Sequence, residues 1–164
     1  MNEIEEKRIA PERAQLEKEV AAHPFLIGMA DHHVRLLADC AMRCHFHAGE
    51  VIFREGEAAN RFYLIERGKI VLESSTLGEP VQFEEIKDGD LLGWSWLFPP
   101  YAWHFTARAL EETTAIFFYG TILREYCEKD HSLGFELFKR MSVVMLRRLQ
   151  AARQKLLSVS RSGK

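Results

Sequence analysis

The chain has 164 residues, 47% of them apolar and 28% charged, with a formal net charge of −2. That length holds one domain with flanking helices and a sizeable core, and the composition is that of a globular chain rather than a fibrous or disordered one. The near-neutral balance excludes whole-surface attraction to nucleic acid or anionic lipid. Three cysteines without a CxxC pair exclude a disulfide framework, and no apolar run approaches the ~18 residues of a bilayer span.

Residues 1–44 read as a helical N-terminal extension. Met1 to Ala22 is rich in charged helix formers with a thin apolar stripe, Ile9, Leu16 and Val20. Pro11 is expected to open the main helix, since proline is tolerated in a first turn. The start is Glu-rich and lacks the apolar core of a secretory signal, so a reducing cytoplasm is the expected location. A second helix is predicted around Asp31 to Met42, where Val34, Leu36, Leu37 and Ala41 recur at helical spacing.

From His45 to residue 120 the period changes to two. Short strands are predicted at Glu50–Arg54, Phe62–Glu66, Ile70–Ser74 and Val81–Ile86, with Gly49, Gly56, Gly68, Gly78 and Asp88-Gly89-Asp90 as turns between them. Phe105–Leu110 and Thr114–Tyr119 read as a closing strand pair joined by Glu111-Glu112. This rhythm implies an all-β barrel or sandwich. A stretch unlike the rest precedes the closing pair: Trp94, Trp96, Phe98, Tyr101, Trp103 and Phe105 crowd together, interrupted by Pro99-Pro100.

Residues 121–160 return to helical spacing, as a short helix to about Cys127 and a long one from about His131 to Val159. Residues 161–164 are expected to be a frayed tail. After Glu136 there is no acidic residue, while Lys139, Arg140, Arg147, Arg148, Arg153, Lys155, Arg161 and Lys164 follow. Such residues are ordinarily the solvated flanks of a coiled coil. Phe138, Ser142, Met145, Leu149, Ala152 and Leu156 form a heptad seam, and Leu137, Met141 and Val144 lie to one side of it, facing the chain's own body.

The middle of the sequence resembles the cyclic-nucleotide-binding domains of the catabolite activator protein and Fnr class. The resemblance rests on Gly49-Glu50-Val51-Ile52, Glu55-Gly56, Tyr63-Leu64-Ile65 and Gly68 at that family's spacing. It continues through Gly89-Asp90-Leu91-Leu92-Gly93 and Ala107-Arg108-Ala109-Leu110-Glu111. It implies a mainly β fold with flanking helices: a double-stranded β-roll (jelly roll), N-terminal helices, and a long C-terminal helix that pairs two copies as a homodimer. It also implies a ligand cassette at about 89–108, whose backbone N–H groups and one Arg grip a cyclic phosphate while a Glu binds the ribose. The regulators it resembles continue into a helix-turn-helix. No second helix is available here to enter a groove, so direct sequence-specific DNA reading is not expected.

By this alignment Trp94 stands at the Glu position and Trp103 at the Arg position, with His104 in place of a Ser or Thr. Arg108 falls on the following strand, outside the pocket. A buried phosphate without its counter-charge costs several kcal/mol, and one backbone donor returns only ~1–3 kcal/mol. Ordinary cyclic AMP or cyclic GMP binding is therefore not expected. Gly93, Trp94, Ser95, Trp96, Trp103, His104 and Phe105 are the candidate ligand-binding residues. They fit three readings: a pocket for an unknown planar or apolar ligand, a pocket filled by its own rings, or an exposed surface for a protein partner.

His45-Phe46-His47 with Glu50 is similar to the HxH…E metal motif of cupins, and a cupin-like metalloenzyme is the enzymatic alternative. Glu50 follows too closely and already fits the Gly-Glu of the roll, so no metal ligand, cofactor or catalytic residue is assigned. His32-His33 and the pair Cys40 and Cys44 read as helical. The sequence thus reads as a non-catalytic sensor or regulatory domain, with a ligand-free interaction module as the alternative.

Overall fold

The computed structural model describes residues 3–74 and 78–162, and the side chains of residues 12–74 and 78–160. Two helices lead, α1 (Glu3–Ala22) and α2 (Asp31–Asp39). Eight strands follow: β1 (Ala41–Phe46), β2 (Val51–Phe53), β3 (Arg61–Arg67), β4 (Ile70–Ser74), β5 (Val81–Ile86), β6 (Leu91–Leu92), β7 (Thr106–Ala109) and β8 (Thr113–Tyr119). Two more helices close the chain, α3 (Gly120–Lys129) and α4 (His131–Ser162). The strands form two four-stranded antiparallel sheets, β1-β8-β3-β6 and β2-β7-β4-β5. This is a double-stranded β-roll flanked by helices, as expected.

The centre of the first sheet, β3 and β8, is buried on both faces, which explains why these two strands are apolar without alternation. On β3, Tyr63 and Ile65 point into the roll with Phe53, Ile70, Leu72, Ala107 and Phe117. Phe62 and Leu64 point the other way, into a second core with Ile116 and Phe118 of β8 and with Leu37, Leu123, Leu133, Leu137 and Met141 from the helices. Each such buried side chain stabilises the fold by ~1.5–3 kcal/mol. The helices thus form a layer over the first sheet, and the roll interior lies beneath it.

Several local expectations change. Residues 41–46 form β1 rather than the end of α2, because they pair with β8 from Ala41↔Phe118 to Phe46↔Thr113. Cys44 is therefore on a strand, and Cys40 caps α2 with its N–H bonded to the Leu37 carbonyl. Pro11 falls inside α1, because the helix formers before it extend the helix beyond the proline. β7 and β8 do not pair with each other, since the 110–112 connection crosses from one sheet to the other. Gly68 makes the same crossing between β3 and β4, at φ 116°, and a side chain there would run into Thr113.

On α4, Leu133, Leu137 and Met141 are buried, and Val144 packs beside them. Met145 leaves the predicted seam and packs on the same core, because it continues the four-residue row of Leu137 and Met141. Phe138, Leu149, Ala152 and Leu156 stay exposed. The helix continues to Ser162 where a frayed end was expected; Gly163 and Lys164 lie outside the described residues, as does the Ile9 side chain. No helix among the described residues is long and apolar enough to cross a membrane.

The chain between α1 and α2 is pinned by His23, which is 5% exposed. Its Nε2–H donates to the Ile65 carbonyl at 3.2 Å, and its Nδ1 accepts from the Phe25 N–H at 3.2 Å. These partners require the neutral ring with its proton on Nε2. Burial pushes its pKa below the usual imidazole value, against opposing pulls from the Ile65 carbonyl and the Asp90 carboxylate. A depressed folded pKa means that its contribution is complete above the unfolded value of about 6.5 and is lost as pH falls below it. The urea midpoint should therefore drop between pH 7 and pH 5, with a slope of at most about 1.4 kcal/mol per pH unit from this group. His23→Gln should show a shallower drop; an identical slope in both proteins would exclude His23 as the source.

Candidate functional site

The cassette begins at a tight turn. The Asp90 carboxylate accepts from the Lys87 N–H at 2.9 Å, and the Ile65 N–H donates to the Asp90 carbonyl at 2.9 Å. β6 then pairs with the middle of β3, Leu92 opposite Tyr63. At Gly93 the backbone takes φ 88°, and a Cβ there would lie 2.7 Å from the Trp103 ring. Glycine is needed here both for the turn and because the indole sits against the backbone. A short 3₁₀ turn, Ser95–Leu97, follows.

The rings of the cassette go to different places. Trp96 is fully buried in the helix-side core, its ring 5.6 Å from Phe62, and the Gly120 backbone packs against its Cβ. Trp103 points into the roll, 3% exposed and stacked on Phe53 with centroids 3.7 Å apart and planes 10° apart. Phe105 joins it there, 5.9 Å from Phe53. Trp94 is half-buried beneath the Arg148 guanidinium, 4.8 Å from its ring centre. Ser95 is buried with no partner for its Oγ among the described residues, and His104 is exposed. Of the seven candidate residues, the structure brings Gly93, Trp103 and Phe105 together and leaves Trp94, Ser95, Trp96 and His104 elsewhere.

The loop between the tryptophans is sewn down. The Trp103 N–H donates to the Glu57 carbonyl at 2.9 Å, the Gly56 N–H to the Trp103 carbonyl at 2.8 Å, and the Ala59 N–H to the Tyr101 carbonyl at 2.7 Å. Arg124 from α3 lies over the Tyr101 ring at 4.4 Å. These bonds hold the indole in place from both sides of its own residue.

Two further arginines that sequence reasoning passed over lie around the cassette. Arg61 shares the face of Tyr63 and Ile65 by strand alternation, the signal that could have found it. Its guanidinium lies over Phe117 at 4.8 Å, and its buried Nε has no hydrogen-bond partner among the described residues. Arg148 of α4 pairs with Glu84 of β5 at 3.0 Å and donates to the Leu91 carbonyl of β6, so one side chain ties the long helix to both strands. Burial lowers the Arg148 pKa and raises that of Glu84, each opposed by the other's charge. Arg108 is committed elsewhere: it donates to the Gly49 carbonyl at 3.0 Å and reaches Glu73 at 3.4 Å.

Among the described residues, two clusters of metal-ligating side chains occur, His32/His33/Asp130 and His45/His47/Glu112. In the first, Asp130 caps α4 by accepting from the Ser132 and Leu133 N–H groups at 3.0 and 3.1 Å, and His33 contacts it at 3.1 Å. In the second, Glu50 has turned away from the histidines' side chains to accept from the His47 N–H at 2.8 Å.

Two antiparallel sheets rolled around an apolar interior, a cassette between β6 and β7, and a long helix tied to that cassette define a β-roll of the ligand-cassette type. The sequence profile of the cyclic nucleotide-binding domain matches residues 43–130, and the chain belongs to that family. A protein described as cyclic nucleotide-binding from Geobacter metallireducens is 26% identical, with a TM-score of 0.74 over 81% of this chain and 97% of that one. The regulatory domain of Toxoplasma gondii protein kinase A, solved with cAMP, is 21% identical, with a TM-score of 0.68 over 81% of this chain and 51% of that one. A regulatory subunit of a cAMP-independent protein kinase A from Trypanosoma brucei is also 21% identical, with a TM-score of 0.70 over 91% of this chain and 50% of that one. No curated protein matches the chain.

Proposed function

We propose that this chain is a non-catalytic regulatory domain whose roll interior is occupied by its own indole, so that cyclic AMP and cyclic GMP are not its ligands. The observation that carries this is the placement of Trp103, buried against Phe53 and the Gly93 backbone. By resemblance this is where the family's Arg meets the phosphate. A ring stacked at 3.7 Å leaves no room between itself and Phe53 for a nucleotide. Displacing it would forfeit the burial of one of the largest side chains in the core. The cAMP-independent regulatory subunit from Trypanosoma brucei supports the reading that this fold serves regulation without cAMP.

The output element of this reading is α4. It is tied to the cassette through Arg148, and where it runs alongside β5 it exposes Leu149, Ala152 and Leu156. These residues fit a homodimer in which two copies of α4 pair. The protein's activity would then lie in what the paired helices present to a further partner.

Calorimetric titration with cyclic AMP and cyclic GMP, with tryptophan fluorescence followed in parallel, tests the proposal. No heat and no spectral change are expected up to ligand concentrations of about 1 mM, the limit of meaningful affinity. Saturable binding of either nucleotide in the micromolar range would overturn it.

A further inference from the structure

We propose that His45, His47 and Glu112 form a surface site for a divalent transition-metal ion of the zinc type, independent of what occupies the roll interior. β1 is an edge strand, and its last residues run beside the 110–112 corner that joins β7 to β8. His45 and His47, two apart, project on the same side of the edge, and the corner places Glu112 between them. His45 Nε2 lies 2.8 Å from Glu112 Oε2, and His47 Nδ1 lies 3.3 Å from the same oxygen. The two imidazole rings are 4.8 Å apart, and one ligand atom from each of the three residues falls within 4.8 Å of the others.

These spacings suit a single ion. Metal–ligand bonds of about 2.0–2.2 Å to imidazole nitrogen and carboxylate oxygen, at tetrahedral angles, need donor atoms roughly 3–3.6 Å apart. The two histidine–Glu112 contacts, 2.8 and 3.3 Å, lie close to that range, and the ligand atoms of all three residues are within 4.8 Å of one another. The arrangement is also held from behind. The Ala48 N–H donates to Glu112 Oε1 at 3.3 Å, and the Glu50 carboxylate accepts from the His47 N–H at 2.8 Å. Those bonds fix the carboxylate and the backbone of the second histidine, the supporting role that outer partners play around a metal.

Two imidazoles and one carboxylate select zinc, nickel or copper over magnesium or calcium, which prefer all-oxygen shells. All three side chains are solvent-accessible, at 46%, 76% and 62%, so an ion can enter without opening the fold. Three protein ligands leave a fourth position for water or for a group from another molecule. The other cluster is a poorer candidate. Asp130 Oδ1 is spent on the start of α4, and His33 is buried against Asp130 and Ser132.

The test is calorimetric titration of the untagged, chelator-treated full chain with zinc chloride, and separately with magnesium chloride. Zinc should bind at one equivalent with micromolar affinity, and magnesium should give no saturable heat. In the double variant His45→Ala/His47→Ala, with unfolding temperature measured alongside, zinc affinity should fall by at least about 100-fold, the upper end of what outer-partner changes alone cost. In the unsubstituted protein, zinc should shift the imidazole NMR signals of His45 and His47 and leave those of His32 and His33 in place. Absence of saturable zinc binding tighter than about 100 µM, undiminished binding in the double variant, or shifts at His32 and His33 instead would each overturn the assignment.

Discussion

Replacing Trp103 with Ala should lower the unfolding free energy by about 3–5 kcal/mol, the range for deleting a large aromatic from a packed core. The size follows from its surroundings: the ring is 3% exposed and stacked on Phe53, with the Gly93 backbone against its edge. Gly93 cannot follow the departing ring inward, because β6 is hydrogen-bonded to β3. The space would therefore persist as an apolar cavity beside Phe53 and Phe105. Such cavities stay dry and take small aromatic molecules, so millimolar indole should raise the unfolding temperature of the variant and leave the parent protein unchanged. Urea unfolding at neutral pH measures the first effect and thermal unfolding with indole the second. A loss below about 1 kcal/mol would mean that the ring lines a solvated pocket, and the filled-interior reading would fail.

Pairing Leu149→Asp with Leu156→Asp should convert a dimer into a monomer without unfolding it. Both leucines are largely exposed in the single chain, at 68% and 73%. Their substitution therefore removes little from the monomer's own core. In a paired helix each would bury its side chain, worth ~1.5–3 kcal/mol, and two per protomer make the dimer at least 100-fold weaker. Light scattering across a concentration series should show twice the chain mass for the parent and the chain mass for the variant, with unchanged circular dichroism. A parent protein that is monomeric at tens of micromolar would refute the pairing. Leu137→Asp on the inward side of the helix is the contrast: that side chain is 1% exposed in the chain's own core, and its substitution should unfold the protein.

Much of the roll was legible because it is written in local signals. β4 and β5 fall at Ile70–Ser74 and Val81–Ile86, where alternation and flanking turn residues put them. The inward face of α4 followed from the spacing of Leu137 and Met141. β1 was missed over Ala41–Cys44 because nothing within those residues distinguishes a strand from the end of α2; pairing with β8, some seventy residues later, decides it. The same limit applied to Met145, whose side is set by how α4 lies on the core.

For the candidate site, the sequence by itself determined that the cassette is aromatic where the resemblance implies charge, because residue type is a one-dimensional property. Only the tertiary structure decided which ring goes where. Trp96 joins the helix-side core and Trp103 the roll interior because a turn between β6 and β7 can present neighbouring residues to opposite sides of one sheet. Likewise His45 and His47 were visible as a pair, but their acidic neighbour is Glu112 and not Glu50. The strand edge and the β7–β8 corner meet only once β1 has paired with β8, and that pairing is a long-range contact no local pattern encodes.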